Sequence, residues 1–330
     1  MNSRHLSLLV CLQSLFCVQV HAVDRNIDPV ILDELQTMAV LDWQAAEREF
    51  STVDVTYTRA SKEGIPNQLK ASPDQTFRFA CDLNRQLKLL RTQKTGVSGM
   101  NHDVANVRYD FEISSPDVST RGTMSRLRLL LPSPDKGNPD GEVSNINFAL
   151  CRLQAECRMN RMPLVKLLDS MEFEPVEAVA VNESGMRLIR FAGRFKGVED
   201  RFRKKGRLYT VTVDPSHHYR SVEWRIDIPD QGVDLFEIAY HDSDSIRIPR
   251  KIIYISDSGR YRSEQEWTYG VPQPWSIPDA EFYLPHYGFS EAVLETLHPN
   301  PWPRWLLIGF GIVTIAIGAW LVRGRRQPAA

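Results

Sequence analysis

The sequence has 330 residues, of which 42% are hydrophobic and 25% are charged, and its formal net charge at pH 7 is −1. This composition is typical of a folded chain and excludes a disordered polar polymer. The near-neutral balance also excludes the strongly basic class of nucleic-acid-binding proteins.

The first 22 residues have the three parts of a secretory signal peptide. A short polar start carries Arg4, residues 6–20 contain no Asp, Glu, Lys or Arg, and Val20-His21-Ala22 provides an A-x-A-like cleavage site. The apolar run is shorter than the roughly 20 residues that a membrane span needs. We therefore predict a signal peptide over residues 1–22 that is removed after Ala22.

A second apolar segment, residues 305–322, is uncharged and long enough to cross a hydrocarbon core of about 30 Å. Trp305 and Trp320 lie at its ends, and the basic tail of residues 323–330 follows. The positive-inside rule places that tail in the cytoplasm. We predict a single-pass membrane protein with a periplasmic domain at residues 23–290, a juxtamembrane linker at 291–304 and a transmembrane helix at 305–322.

The exported part is mildly acidic and poor in cysteine. Residues 23–304 hold all 41 acidic residues, whereas four of the 40 basic residues lie outside this range, so its net charge is about −5. This balance argues against nucleic acid or an anionic bilayer as the main partner. Cys81, Cys151 and Cys157 remain after the signal peptide, too few for a disulfide scaffold, and we expect buried thiols in a hydrophobic core.

One amphipathic helix is predicted at the start of the domain. Asp28-Pro29 combines a capping aspartate with a proline in the first helical position. Apolar residues then recur at steps of three and four. The predicted apolar face consists of Ile31, Leu35, Met38, Ala39, Ala46 and Phe50.

After residue 50 the apolar period changes to two, which predicts strands. In the first half the alternating sets are Val53, Val55, Tyr57; Phe77, Phe79, Cys81; Leu87, Leu89; Val107, Tyr109, Phe111, Ile113; and Leu127, Leu129, Leu131. A helical insert follows, with one helix around Ile146 to Cys157 and a second over Pro163 to Met171. Six strand-length segments after Val176 are predicted at Met186–Phe195, Arg207–Val213, Tyr219–Ile228, Val233–His241, Ile248–Ser256 and Arg260–Tyr269.

Short turns between these segments predict an antiparallel meander, because parallel strands need long crossovers. Alternation predicts one apolar face, made of Val222, Trp224, Ile226, Phe236, Ile238, Tyr240, Ile253, Ile255, Trp267 and Tyr269. It predicts a wet face carrying Arg225, Asp227, Glu237, Arg262, Glu264 and Glu266. A sheet of about ten strands must curl, and the two helical regions are available to cover it, so we predict an α+β fold with a strongly curved antiparallel half-barrel.

The order of these elements resembles a known family. The helix runs directly into Ser51-Thr52-Val53-Asp54-Val55-Thr56-Tyr57, and residues 206–215 (GRLYTVTVDP), 219–224 (YRSVEW) and 248–252 (IPRKI) follow later. Over residues 29–269 this pattern is similar to the periplasmic lipoprotein-carrier superfamily of LolA, LolB and RseB-like proteins. The resemblance implies a half-barrel that encloses an acyl-binding cavity. Carriers of that family shuttle freely, whereas the predicted anchor ties this chain to a membrane.

Residues 282–289 are also similar to the tails of uncharacterised exported planctomycete proteins.

No nucleophile elbow, zincin, dinucleotide-binding or P-loop motif is present in the sequence. No catalytic residue, metal site or cofactor is therefore predicted, and the chain is not expected to be an enzyme. His217 and His218 are adjacent in a turn, where the two rings point in different directions. An ordinary loop explains them better than a metal site does.

Two functions remain open from the sequence. The first is a tethered module that binds a lipid or a lipoprotein acyl chain, with Val222, Trp224, Ile226, Phe236, Ile238, Tyr240 and Trp267 as candidate lining residues. The second is an envelope sensor or interaction protein, with an unidentified protein partner, that uses the same fold with a filled core. A continuous apolar cavity of several hundred Å³ would favour the first.

Overall fold

The computed structural model of the chain describes residues 25–106, 109–115, 126–130, 145–159, 162–169, 173–196, 206–229, 231–243 and 245–289. The predicted signal peptide, linker, transmembrane helix and basic tail lie outside these residues. Within the described ranges, no helix combines the length and the apolar character that crossing a bilayer requires.

The predicted N-terminal helix is present but is interrupted by a π turn. It consists of α1 (Pro29–Glu34), the π turn (Leu35–Ala39) and α2 (Val40–Glu49). Asp28 caps it, because its Oδ1 accepts a hydrogen bond of 2.9 Å from the amide of Val30. The buried face consists of Ile31, Leu35, Ala39, Trp43 and Ala46.

Met38 does not belong to that buried face, and its assignment to it was wrong. The side chain is 55% exposed. In the π turn the amide of Val40 bonds to the carbonyl of Leu35, five residues back. The turn therefore holds more residues than an α-helical turn, so that a step of four from Leu35 stays on the buried face and a step of three leaves it.

One large, curved, mostly antiparallel sheet dominates the described part of the chain and confirms the α+β class. Its fourteen described strands are β1 (Asn26–Ile27), β2 (Thr52–Ile65), β3 (Gln68–Asp82), β4 (Leu87–Lys94), β5 (Met100–Ala105), β6 (Asp110–Ser115), β7 (Arg126–Leu130), β10 (Phe173–Glu183), β11 (Met186–Phe195), β12 (Leu208–Asp214), β13 (Arg220–Ile228), β14 (Gly232–Tyr240), β15 (Pro249–Asp257) and β16 (Arg262–Tyr269). A separate ribbon pairs β8 (Arg158–Met159) with β9 (Met162–Pro163). The sheet is not closed into a barrel.

The sheet is built from two meanders that meet in its middle. Strands β2 to β7 form one meander and β10 to β16 form the other, and β16 pairs with β2 in an antiparallel register from Arg262↔Gly64 to Tyr269↔Tyr57. Strand β1 pairs with β10 in parallel. All six strands predicted in the second half are confirmed, with bounds that shift by at most two residues.

Both predicted inserted helices are present, as α3 (Asn145–Leu153), which ends four residues before the predicted end at Cys157, and α4 (Leu164–Asp169). Helix α3 contacts β4, β5 and β15, which lie on opposite sides of the seam between β2 and β16. We call the face of the sheet under the helices the inner face. The main core lies there and joins α1, α2, α3 and α4 to the inward side chains of both meanders.

The alternation of β15 differs from the prediction. Ile253 and Ile255 were assigned to the covered face, but they pair with Glu237 and Leu235 of β14 and with Glu266 and Glu264 of β16, on the outer face. The inward residues are Ile252 and Tyr254. The run Ile252-Ile253-Tyr254-Ile255 is apolar at every position, so its pattern cannot select one face.

The outer face of the first half is not wet, in contrast to the prediction of a single apolar face. A second core cluster covers β3 to β6 and includes Ala80, Leu87, Leu89, Val104, Tyr109, Phe111 and Ile113. Residues 270–289, here called the C-terminal strap, pack onto it with Ile277, Phe282, Leu284 and Tyr287. Asn106 fastens the strap, because its Nδ2 donates to the carbonyl of Phe282 at 2.7 Å.

The three cysteines of the domain are free and buried, which confirms the prediction of ordinary thiols. Burial raises the pKa of the Cys81 and Cys157 thiols to about 12, so neither is a thiolate at neutral pH.

Candidate functional site

Two cavities lie on the inner face, on either side of helix α3. Phe148 and Arg152 of this helix line both of them. Because α3 spans from β15 to β5, it divides the curved inner face into two compartments. The inner face therefore holds two separate cavities and not one continuous apolar cavity.

The first compartment, here called the aromatic cavity, has a volume of about 300 Å³. Its sheet wall consists of Trp224, Ile226, Phe236, Tyr254, Gln265 and Trp267. The strand register explains the wall, because Trp224, Phe236, Tyr254 and Gln265 occupy directly opposite positions on β13, β14, β15 and β16. Their rings follow one another, with Phe236 and Tyr254 centroids 4.5 Å apart and Trp224 and Phe236 centroids 5.3 Å apart.

Four of the seven predicted lining residues are brought together in this cavity, namely Trp224, Ile226, Phe236 and Trp267. Val222, Ile238 and Tyr240 do not line it. Ile238 is 6% exposed and packs in the main core. The hydroxyl of Tyr240 donates to the carbonyl of Ser221 at 3.0 Å, and the guanidinium of Arg220 lies 5.3 Å from its ring centre.

Sequence reasoning missed three kinds of lining residue. Tyr254 was hidden in the uniformly apolar run of β15. Asp234 and Gln265 are polar residues at inward positions of β14 and β16. Phe148 and Arg152 are four residues apart on α3, and this spacing was the one available signal that they share a helix face.

The second compartment, here called the polar cavity, has a volume of about 320 Å³. Asp103 and Glu112 occupy directly opposite positions on β5 and β6 and line it together. Burial raises the pKa of Asp103 to about 6, and the charge of Glu112 acts in the same direction. The amide Nδ2 of Asn145, in the first turn of α3, donates to Asp103 Oδ2 at 3.2 Å.

Cationic side chains line the polar cavity toward the seam between β2 and β16. Arg59 of β2 lies directly opposite Trp267 in the strand register, and one of its guanidinium nitrogens donates to Gln75. Its guanidinium carbon is 5.6 Å from the ring centre of Phe77. The guanidinium carbon of Arg152 is 4.2 Å from the ring centre of Trp267, which places a cation against the wall of the aromatic cavity.

A third cavity of about 210 Å³ lies beside the inserted ribbon, but its charges are already satisfied. Arg247 Nε donates to both carboxylate oxygens of Glu156, at 2.9 and 3.1 Å. Burial raises the pKa of Glu156, and the hydrogen bond from Arg247 opposes that rise. This pair is a structural contact, and it leaves no charge for a ligand to neutralise.

In the part of the chain that the structure describes, no group of three or more His, Cys, Asp or Glu side chains is placed to hold a metal ion. What the inner face offers is an apolar compartment next to a charged one. That arrangement can bind a molecule with an apolar part and a polar part.

No protein-family model matches the chain, and no curated protein matches it significantly. Among solved structures, it is similar to a LolA superfamily protein from Nitrosomonas europaea at 11% identity and a TM-score of 0.41, over 75% of this chain and 98% of that one. It is similar to a putative outer membrane lipoprotein-sorting protein domain from Vibrio parahaemolyticus at 9% identity and a TM-score of 0.41, over 76% and 98%. It is also similar to the lipoprotein LppX from Mycobacterium tuberculosis at 10% identity and a TM-score of 0.30, over 76% of this chain and 100% of that one.

At these identities and TM-scores the likeness concerns the general course of the chain and says nothing about a ligand. The resemblance of residues 282–289 to planctomycete tails stays a prediction. The superfamily named for the Nitrosomonas europaea protein is the one that the sequence resembles.

Proposed function

We propose that this chain is a membrane-tethered extracytoplasmic module that binds an acyl chain of a lipid or lipoprotein in the aromatic cavity. The observation that carries the proposal is the compartment of about 300 Å³ between α3 and the sheet wall, whose aromatic residues are Trp224, Phe236, Tyr254 and Trp267. Apolar concave sites of this size class are where small apolar ligands bind in proteins. The tether itself is supported by the sequence of residues 305–322.

The volume sets the length of chain that fits. A dry cavity of about 150 Å³ accepts benzene, so a volume twice as large accepts roughly ten carbon atoms. Burial of ten methylene groups contributes about 8 kcal/mol at 0.8 kcal/mol for each group. The loss of translational and rotational freedom offsets about 4 kcal/mol or more of this, which leaves about 4 kcal/mol or less, so we expect dissociation constants of about 1 mM or weaker for the chain alone.

A chain-length series tests the proposal. The full-length chain, held in an amphipathic polymer so that no detergent competes, is titrated calorimetrically with neutral 1-alkanols from hexanol to dodecanol. Affinity is expected to rise by up to about 0.8 kcal/mol with each methylene and to level off near ten carbons. Absence of saturable binding throughout the series would contradict the proposal.

A substitution that fills the aromatic cavity tests whether the ligand binds there. Ile226→Trp places a large ring in the aromatic cavity and is expected to weaken decanol binding at least tenfold, with little change in melting temperature, because the new ring occupies existing space. Leu235→Trp, on the outer face of β14, is the control and is expected to leave decanol affinity unchanged. Equal effects of the two variants would mean that the ligand binds elsewhere.

The alternative is an envelope sensor or interaction protein with a filled interior. The observation that favours it is the near-complete burial of the two tryptophans of the cavity wall, Trp224 and Trp267, which are 1% and 2% exposed. Under this alternative no alkanol saturates the protein, and Ile226→Trp lowers stability because no space exists for the ring.

A further inference from the structure

Two arginines, Arg59 and Arg152, line the polar cavity near the β2–β16 seam. Within the described residues, neither Arg59 nor Arg152 makes an ion pair, and Arg59 Nε is buried without a hydrogen-bond partner. Burial lowers the pKa of Arg59, and the positive charge of Arg152 lowers it further. Partly buried cations that repel each other are costly unless an anion neutralises them.

The carboxylates of the same cavity do not provide that anion. Asp103 and Glu112 lie on β5 and β6, at the far side of the cavity from the seam, and Asp103 accepts its hydrogen bond from Asn145. Asp103 and Arg59 are separated in the sheet by β3 and β4. The acids of the polar cavity therefore lie on β5 and β6 and its guanidinium groups lie toward the aromatic cavity, while a third cation, Lys94, lines the cavity from β4.

The position of the arginines relative to the aromatic cavity is the third observation. Arg152 lines both compartments and lies against the ring of Trp267, and Arg59 is the strand neighbour of Trp267 across the seam. A molecule whose chain lies along Trp267 would thus have its polar end next to both guanidinium groups. Guanidinium groups bind carboxylates and phosphates through paired, charge-assisted hydrogen bonds.

We propose that Arg59 and Arg152 bind the anionic headgroup of an amphiphile, a carboxylate or a phosphate, at the junction of the two cavities, while its acyl chain occupies the aromatic cavity. This inference rests on the proposed function and narrows its ligand to anionic amphiphiles. It assigns Arg59 and Arg152 as headgroup-binding residues and Trp267 as the contact between headgroup and chain.

The test compares probes that share a ten-carbon chain and differ in headgroup. The full-length chain in the same polymer is titrated with decanoate, decyl phosphate, decanol and decyltrimethylammonium. Decanoate and decyl phosphate are expected to bind at least tenfold more tightly than decanol, and the cation is expected to bind most weakly. Arg59→Gln and Arg152→Gln are each expected to remove most of this preference, which is measured as the ratio of decanoate affinity to decanol affinity within each variant.

Two controls keep the outcome specific. Arg225→Gln removes the same charge from the outer face and is expected to change none of the affinities. Arg152→Lys keeps the charge without the planar fork and is expected to retain part of the preference. A full preference for anions in the Arg59→Gln/Arg152→Gln double variant would overturn the inference.

The outcomes of these titrations also distinguish failure of the headgroup site from failure of acyl-chain binding. If no probe binds, both fail. If decanol binds and the anionic probes bind no more tightly, the headgroup site is refuted while acyl-chain binding stands. Inorganic phosphate is expected to leave decanoate binding unchanged at millimolar concentration. Displacement of decanoate by an equal concentration of phosphate would mean that the arginine pair binds free anions. It would overturn the assignment of an anionic amphiphile as the ligand.

Discussion

The two halves of the sheet use the same strand alternation in different surroundings. In β12 to β16 the inner face is apolar and the outer face carries charged residues such as Arg225 and Asp227, whose side chains are 50% and 37% exposed. In β3 to β6 both faces are covered, one by α3 and one by the C-terminal strap. An apolar alternation therefore identifies a buried face without identifying which side of the sheet that face lies on.

Charged residues of the first half attach the strap to the sheet. Arg78 donates to Asp54 at 2.7 and 3.0 Å and to Ser276 of the strap at 2.8 Å. Arg85 donates to both carboxylate oxygens of Asp279, and Arg91 pairs with Glu281. The Asp54 and Glu281 carboxylates are thus largely buried where the strap meets the sheet, with 2% and 15% of their side chains exposed, whereas the Arg85–Asp279 pair is as exposed as the Arg225–Asp227 pair of the second half.

The largest expected difference between the halves concerns Phe282 of the strap, which is fully buried on the outer face of the first half. Phe282→Ala is expected to lower the free energy of unfolding by about 3–5 kcal/mol, because it leaves a cavity in the outer cluster. Leu235→Ala, on the outer face of the second half, is expected to cost about 1 kcal/mol or less. Urea unfolding of the full-length chain measures both, and similar costs would show that the strap is not part of the core.

The second difference concerns ion pairs of the same chemistry. Asp54 is buried, with 2% of its side chain exposed, so Arg78→Gln leaves a buried carboxylate without its cation and is expected to cost about 2–3 kcal/mol. Arg225→Gln breaks an exposed pair and is expected to cost about 0.5 kcal/mol or less. The ratio is measured by the same urea titrations. Raising the salt concentration is expected to reduce the smaller effect and leave the larger one nearly unchanged.

The third and smallest difference lies on the inner face, where the first half carries an ionisable group. The pKa of Asp103 is raised from 3.8 to about 6, so between these values the folded chain binds more protons than the unfolded one. Stability therefore falls as the pH rises from about 4 to 6, and the loss is complete above pH 6.

Asp103→Asn removes this penalty and is expected to stabilise the chain by roughly 1–2 kcal/mol at pH 7 and to change its stability little at pH 4. Denaturant titrations at the two pH values check the sign. The raised pKa of Glu156 gives both proteins a residual slope of the same sign. A variant that is less stable than the wild type at pH 7 would show that the Asp103 carboxylate is neutralised in the fold.

The second half was predictable from sequence because most of its strands alternate polar and apolar residues and short turns bound them. That pattern gave all six strands and placed Trp224, Ile226, Phe236 and Trp267 on the covered face. It failed at Ile253 and Ile255, where no polar residue marks the outer side. The strap was not predictable as a cover because Pro272, Pro274 and Pro278 interrupt any period.

The charged part of the site was also beyond the sequence. Arg59 and Arg152 are 93 positions apart and come together because β2 lies beside β16 and α3 crosses above both. Asp103 and Glu112 are polar residues at inward positions, and their alternation with apolar neighbours is the pattern of a side that faces solvent. The sequence pattern shows which side chains share a face of the sheet, but it does not show what covers that face.

The antiparallel pairing of β2 with β16 has a consequence for how the chain folds. It joins Arg59 to Trp267 across about two hundred residues, the kind of non-local contact that slows folding because a long loop must close first. Each meander can form its own hairpins early, but the place where the proposed headgroup lies is completed only when they meet. A bound amphiphile would contact both meanders and would therefore slow their separation, and with it the unfolding of the whole domain.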